Sequence, residues 1–119
     1  IRRGEPPLAG YWAPPAGYVE TGESVSEAVI REAREECGLE IVLDELAGVY
    51  SQSDFEVLIV AYRAHSVGGR LAAGDDASEA GLFATGQLPE QPAPATGTAT
   101  DRWLHEVILA VTARWRTTT

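Results

Sequence analysis

Three glutamates, Glu32, Glu35 and Glu36, crowd together inside the run "GYVETGESVSEAVIREAREECGL", Gly17 to Leu39. If that run is helical, about 100° of rotation per residue places the three carboxylates in a sector of roughly 100°. Like charges at such spacings repel. Two explanations are open: the carboxylates form a solvated acidic face, or they converge on a hard divalent cation such as Mg²⁺ or Mn²⁺, which dense oxygen ligands suit.

The helix that must position them is marked at both ends. Ser24 followed by Glu27 is a capping box, and Gly38 supplies the left-handed residue that ends a helix, so the spacing predicts a helix from Val25 to Cys37. On it Val29, Ile30, Ala33 and Cys37 fill the sector beside the carboxylates and are expected to face a core. Glu27, Arg31 and Arg34 lie on the remaining side, with Arg34 pointing to solvent. The carboxylates therefore sit at a core margin, where repulsion is poorly screened.

Bulk properties bound the rest. A chain of 119 residues, 45% hydrophobic, fits one domain with one core. The expectation is a single domain over residues 1–119, N-terminally incomplete, because the chain opens at Ile1 and contains no methionine. A net charge of −9 works against nucleic acid and anionic membrane surfaces as partners, and no apolar run approaches the ~18 residues of a membrane span. Cys37, the single cysteine, excludes an intramolecular disulfide and a Cys-built zinc site. It points to a reducing, cytoplasmic setting.

Along the chain, "IRRGEPPLAGYWAPPAGYV" reads as a strand end followed by loops and short strands, and "IVLDELAGVYS" as one or two strands. The strongest β signal is "FEVLIVAYRAH", Phe55 to His65, apolar enough to predict a central strand. "SVGGRLAAGDDASE" reads as a loop, "AGLFAT" as a further short strand and "GQLPEQPAPATGTAT" as an exposed connection. "DRWLHEVILAVTARW", Asp101 to Trp115, repeats apolar residues at Trp103, Leu104, Val107, Ile108, Val111 and Trp115, the pattern of a helix with one face on the core. His65 and His105 have no ligand spacing with an acidic cluster and are read as structural.

The residues around the three glutamates decide between the two explanations. Glycine, five residues, Glu23, seven residues and "REAREECGL" resemble the Nudix box at every specified position: Gly17, Glu23, Arg31, Glu32, Ala33, Glu35, Glu36, Gly38 and Leu39. Seven fixed residues at fixed spacing arise by chance at a given start on the order of one time in ten million. A solvated face does not explain that. The likeness extends upstream through "RRGEPPLAGYWAPPAGYVE" and downstream through "GDDASEAGLFATGQLP", with Leu82 standing where the family often has tryptophan.

The Nudix resemblance implies an α+β fold, an α/β/α sandwich around a central mixed β-sheet, lacking in this chain the strand that usually precedes "IRR". It implies hydrolysis of a nucleoside diphosphate linked to another group, with Mg²⁺ or Mn²⁺ held by Glu32, Glu35, Glu36 and the backbone carbonyl of Ala16. Glu32 and Glu36 are the candidate general bases inside the box, and Glu79 is a third outside it. Gly17, Glu23, Arg31 and Gly38 are assigned to support of the site. Arg2 and Arg3 are phosphate contacts to test, since guanidinium suits phosphate geometry. The implied partner is a small nucleotide, with neither nucleic acid nor membrane, and a second copy of the chain is admitted.

Substrate markers outside the box are sparse. The proline of ADP-ribose enzymes is absent where this chain has "SDFE", the tyrosine of dinucleoside polyphosphate enzymes is missing near Val57, and "YSQSDF" shares only Ser-Gln with an NADH pyrophosphatase signature. Trp12, Tyr18 and Phe55 could stack on a base or fill a core. The competing reading is a Nudix-like sensor that binds a nucleotide such as ADP-ribose without cleaving it. Sensors tend to lose box carboxylates; this chain keeps them all.

Overall fold

The structure, a computed structural model, describes residues 1–84, 86–92 and 98–117, with side chains given only up to residue 112 in the last segment. In chain order its elements are β1 (Arg2–Arg3), α1 (Val25–Cys37), β2 (Leu39–Tyr50), β3 (Ile59–Gly69), β4 (Ala77–Glu79) and α2 (Ala99–Thr117). The described strands form two antiparallel pairs, β1 with β4 and β2 with β3, and Trp12 bridges Arg2 at the edge of the first.

Helix α1 has the predicted bounds because both of its ends are chemically satisfied. The Ser24 hydroxyl accepts from the Glu27 N–H, the Glu27 carboxylate accepts from the Ser24 N–H, and Gly38 sits at φ 78°. A side chain at Gly38 would also collide with the carbonyl of Arg70. Ala33 and Cys37 are buried as expected, but so is Ala28, which shares the carboxylate sector.

The β2–β3 hairpin carries a helix on each face. Period-two alternation along β3 sends Tyr62 and Ala64 to the side of Ala33 and Cys37 in α1, where they line one cleft. Ile59 and Ala61 point the other way, onto Trp103, Val107 and Val111 of α2. This is the helix–sheet–helix layering of an α+β sandwich. Among the described residues no parallel pairing is seen, so the mixed character expected of the sheet does not show in these strands.

Several expectations are corrected. The β3 strand starts at Ile59 rather than Phe55 and has β2 as its single strand neighbour among the described residues, so it is not central there. Phe55 and Val57 serve the α2 core instead, with the Phe55 ring stacked 5.1 Å from that of Trp103. Gly68 and Gly69, read as loop, close the ladder opposite Glu40 and Leu39. No strand forms over residues 81–84; the short strand lies just before, at β4, and Thr85 is outside the described residues. Helix α2 begins earlier than Asp101 because Thr98 caps it: the Asp101 N–H donates to the Thr98 hydroxyl at 3.1 Å, and the Thr98 N–H donates to the Asp101 carboxylate at 3.2 Å. The side chain of Trp115 and residues 93–97 of the proline-rich connection fall outside the described residues. No helix described here is long and apolar enough to cross a membrane.

Candidate active site

Arg31 organises the N-terminal half of the site. Its guanidinium donates to both oxygens of Glu23 at 2.7–3.3 Å, to Glu32 at 2.8 Å, to Glu35 at 3.0 Å and to the Tyr18 carbonyl at 3.0 Å. Glu20 adds an ion pair at 3.6 Å. Arg31 and Glu23 are both well shielded, at 19% and 15% side-chain exposure, so this is no surface pair of negligible consequence. Hydrogen bonds from Arg31 and from the Glu20 N–H hold the Glu23 carboxyl below its usual range, and the bond to Glu23 raises the Arg31 guanidinium in turn. One cation thus ties the 18–23 loop to the helix.

The C-terminal half of the carboxylate cluster is built differently. Glu36 accepts from the Ala16 N–H at 2.9 Å, which brings the residue ahead of the box against the helix. Gly17 then passes so close to Glu32 that any side chain at Gly17 would overlap the Glu32 carboxylate. Burial pushes the Glu36 carboxyl up to about 7; the neighbouring Glu32 charge adds to this, while the Ala16 N–H, Arg3 and the N-terminal amine oppose it. Burial is thus what sets Glu36 apart from Glu23, whose charged form Arg31 stabilises.

The predicted site residues divide accordingly. Ala16, Gly17, Glu32 and Glu36 come together, and Glu23, Arg31 and Glu35 form the adjoining network. Glu35 is turned to Arg31 and 41% exposed, and no three acidic, histidine or cysteine side chains among the described residues are grouped tightly enough to hold a metal ion by themselves. Gly38 ends the helix. Glu79 lies across from Arg2 in the β1–β4 ladder and pairs with it at 3.4 Å. Arg2 also donates to the Gly10 carbonyl, and Arg3 to that of Pro7. Arg34 is exposed but not idle, forming a two-pronged pair with Glu40 at 2.6 and 2.9 Å. His65 meets Asp44 at 2.8 Å, and His105 packs edge-on against Tyr11.

Sequence reasoning missed a cleft of about 580 Å³, a size that suits a small ligand. Pro14 and Pro15, which lead into Ala16, are among its lining residues, as are Trp12, Phe83, Asp44 and Arg63. Trp12 and Phe83 meet edge to face at 5.3 Å. Their positions, 71 residues apart, gave no local signal. Of the three aromatics considered for stacking, Trp12 lines this cleft, Phe55 is in the core and Tyr18 is 79% exposed.

Known proteins resemble this chain over most of its length. The family model for the NUDIX domain matches residues 1–105. The ADP-ribose pyrophosphatase of Methanocaldococcus jannaschii is 44% identical over 94 residues, covering 76% of this chain and 56% of that protein. The NAD-capped RNA hydrolase NudC of Pseudomonas aeruginosa is 36% identical over 87 residues, covering 72% of this chain and 31% of that protein. A crystal structure of a NUDIX hydrolase from Nitrosomonas europaea superposes with a TM-score of 0.70 at 28% identity, over 74% of this chain and 50% of the other. The chain thus spans little more than half the length of these relatives at most.

Proposed function

The chain belongs to the Nudix family, and on that footing we propose that it is a divalent-metal-dependent pyrophosphohydrolase that cleaves the diphosphate bridge of a nucleoside diphosphate linked to another group. The observation that carries the reading is the close approach of Ala16 and Gly17 to Glu36 and Glu32, since a loop folded onto two carboxylates serves a site and not a solvated face. The donor set fits Mg²⁺ or Mn²⁺. Glu23, Glu32 and Glu35 share the one Arg31 guanidinium, and Glu36, bonded instead to the Ala16 N–H, is half-buried where a cation would favour its charged form.

Glu32, Glu35, Glu36 and the Ala16 carbonyl are assigned to hold the ion. A cation held there would supply positive charge for the diphosphate oxygens and lower the pKa of a bound water. The chain's own residues do the rest. Arg31 holds Glu32 and Glu35 in place through its fork, and Glu23 fixes Arg31. Glu32 and Glu36 inside the box and Glu79 outside it are the candidates to take a proton from the attacking water. Arg2 and Arg3 offer positive charge to phosphate beside the carboxylates, and the Trp12–Phe83 cleft offers an apolar wall for the group beyond the diphosphate.

The likeness to an ADP-ribose pyrophosphatase puts ADP-ribose first among substrates, followed by NADH and dinucleoside polyphosphates. The test is hydrolysis of that panel with Mg²⁺ or Mn²⁺, read as phosphate release after phosphatase coupling. Turnover of at least one diphosphate-linked nucleoside is expected. Saturable binding without any turnover would make the protein a nucleotide sensor instead.

A further inference from the structure

Between the two strand pairs runs a segment, residues 70–79, that reads as loop in the sequence and in the structure ends in the three-residue strand β4. Its backbone does something specific. A helix leaves its last carbonyls without partners, and in α1 those of Glu35, Glu36 and Cys37, together with that of the cap Gly38, accept from Asp75, Gly74, Ala72 and Arg70 at 3.1, 2.9, 3.0 and 3.1 Å. Two of these carbonyls belong to Glu35 and Glu36, the carboxylate residues themselves. The same segment then turns at Asp76, whose carbonyl accepts from the Gly4 N–H at 2.8 Å, and pairs as β4 with β1, setting Glu79 opposite Arg2 and Ala77 opposite Arg3.

We propose that residues 70–79 are a backbone clamp that sets Arg2, Arg3 and Glu79 at a fixed distance from the carboxylate helix, with Gly74 as its positioning residue. Gly74 is the point of closest approach: a Cβ there would overlap the carbonyl oxygen of Glu35. Its φ is not in the left-handed region, so alanine suits its backbone and is excluded by the contact alone. Arg3 reaches the carboxylate helix through β1, β4 and the clamp.

The inference rests on the hydrolase reading, and its test keeps the two apart. Gly74→Ala is compared with the parent and with Gly86→Ala, a position where a Cβ meets open space. Amide hydrogen exchange reads the clamp, Mn²⁺ titration without substrate reads the carboxylates, and steady-state kinetics on the best panel substrate read positioning. In Gly74→Ala the amides of residues 70–79 and Gly4 are expected to lose protection together while α1 keeps its own. Mn²⁺ affinity stays within about twofold of the parent, because its carboxylate ligands share one intact helix. KM rises about tenfold or more, since Arg2 and Arg3 no longer meet the phosphates in register; Gly86→Ala matches the parent throughout. A merely structural glycine would lower the melting temperature and leave kcat and KM of the folded fraction parental, which overturns the proposal. Unchanged exchange in Gly74→Ala overturns it as well. A parent without turnover defeats the hydrolase reading, and the exchange pattern then decides the clamp alone.

Discussion

Glu36 is the residue on which the account turns, and its environment yields a pH prediction. Its folded carboxyl is pushed up to about 7, chiefly by burial, above the value of an unfolded glutamate near ~4.3. A raised acid binds its proton more tightly in the fold, so its stabilising contribution is full below the unfolded pKa and is lost as pH rises through about 7. In EDTA the parent's melting temperature is therefore expected to fall between about pH 4 and pH 8 relative to that of Glu36→Gln, which lacks this titration. Taking the difference between the two removes every other group that titrates in the window. Parallel curves would show that Glu36 is not strained by its burial. Metal binding opposes the proton at the same atom, so Mg²⁺ affinity is expected to rise with pH through the same window.

At the scale of elements, what could be read in the sequence was what depends on a few neighbouring residues. Ser24, Glu27 and Gly38 fix α1 because capping is a contact across three residues; Ser24→Ala is expected to cost about 1 kcal/mol in denaturant unfolding, and no loss would mean the helix is held by packing alone. The same pattern at Thr98 and Asp101 went unread, and with it the first turn of α2. What escaped prediction depends on contacts distant in sequence. Phe55 and Val57 carry the β signal of Ile59 to Ala64, yet the ring of Trp103, 48 positions after Phe55, takes them into the other core. Trp103 is 8% exposed at the centre of that cluster, so Trp103→Ala is expected to destabilise by about 3–5 kcal/mol. A loss under about 1 kcal/mol would show that α2 is not anchored there.

Across the whole molecule the layering follows from alternation along β3, with α1 against one face and α2 against the other, and the carboxylates at the edge where α1 meets the Ala16–Gly17 loop. The box made this site legible, because its residues are near in sequence and each is constrained. It could not reveal that Arg31 would serve Glu32 and Glu35 as well as Glu23, nor that Glu79 would face Arg2, since those pairings are set by side-chain reach and by the β1–β4 register. A ligand that binds only the folded state stabilises it by mass action, about 2.7 kcal/mol at a hundredfold excess over its dissociation constant. Mg²⁺ is thus expected to raise the parent's melting temperature and to raise that of Glu36→Gln far less. The most direct test of the central claim is turnover of the best diphosphate substrate by Glu36→Gln beside Arg34→Ala, two changes on one helix. Loss of a carboxylate that holds the cation should cost about a thousandfold or more, ~4 kcal/mol of transition-state stabilisation, while Arg34→Ala should turn over like the parent. Near-parental turnover in Glu36→Gln would contradict the account and return the helix to an acidic surface.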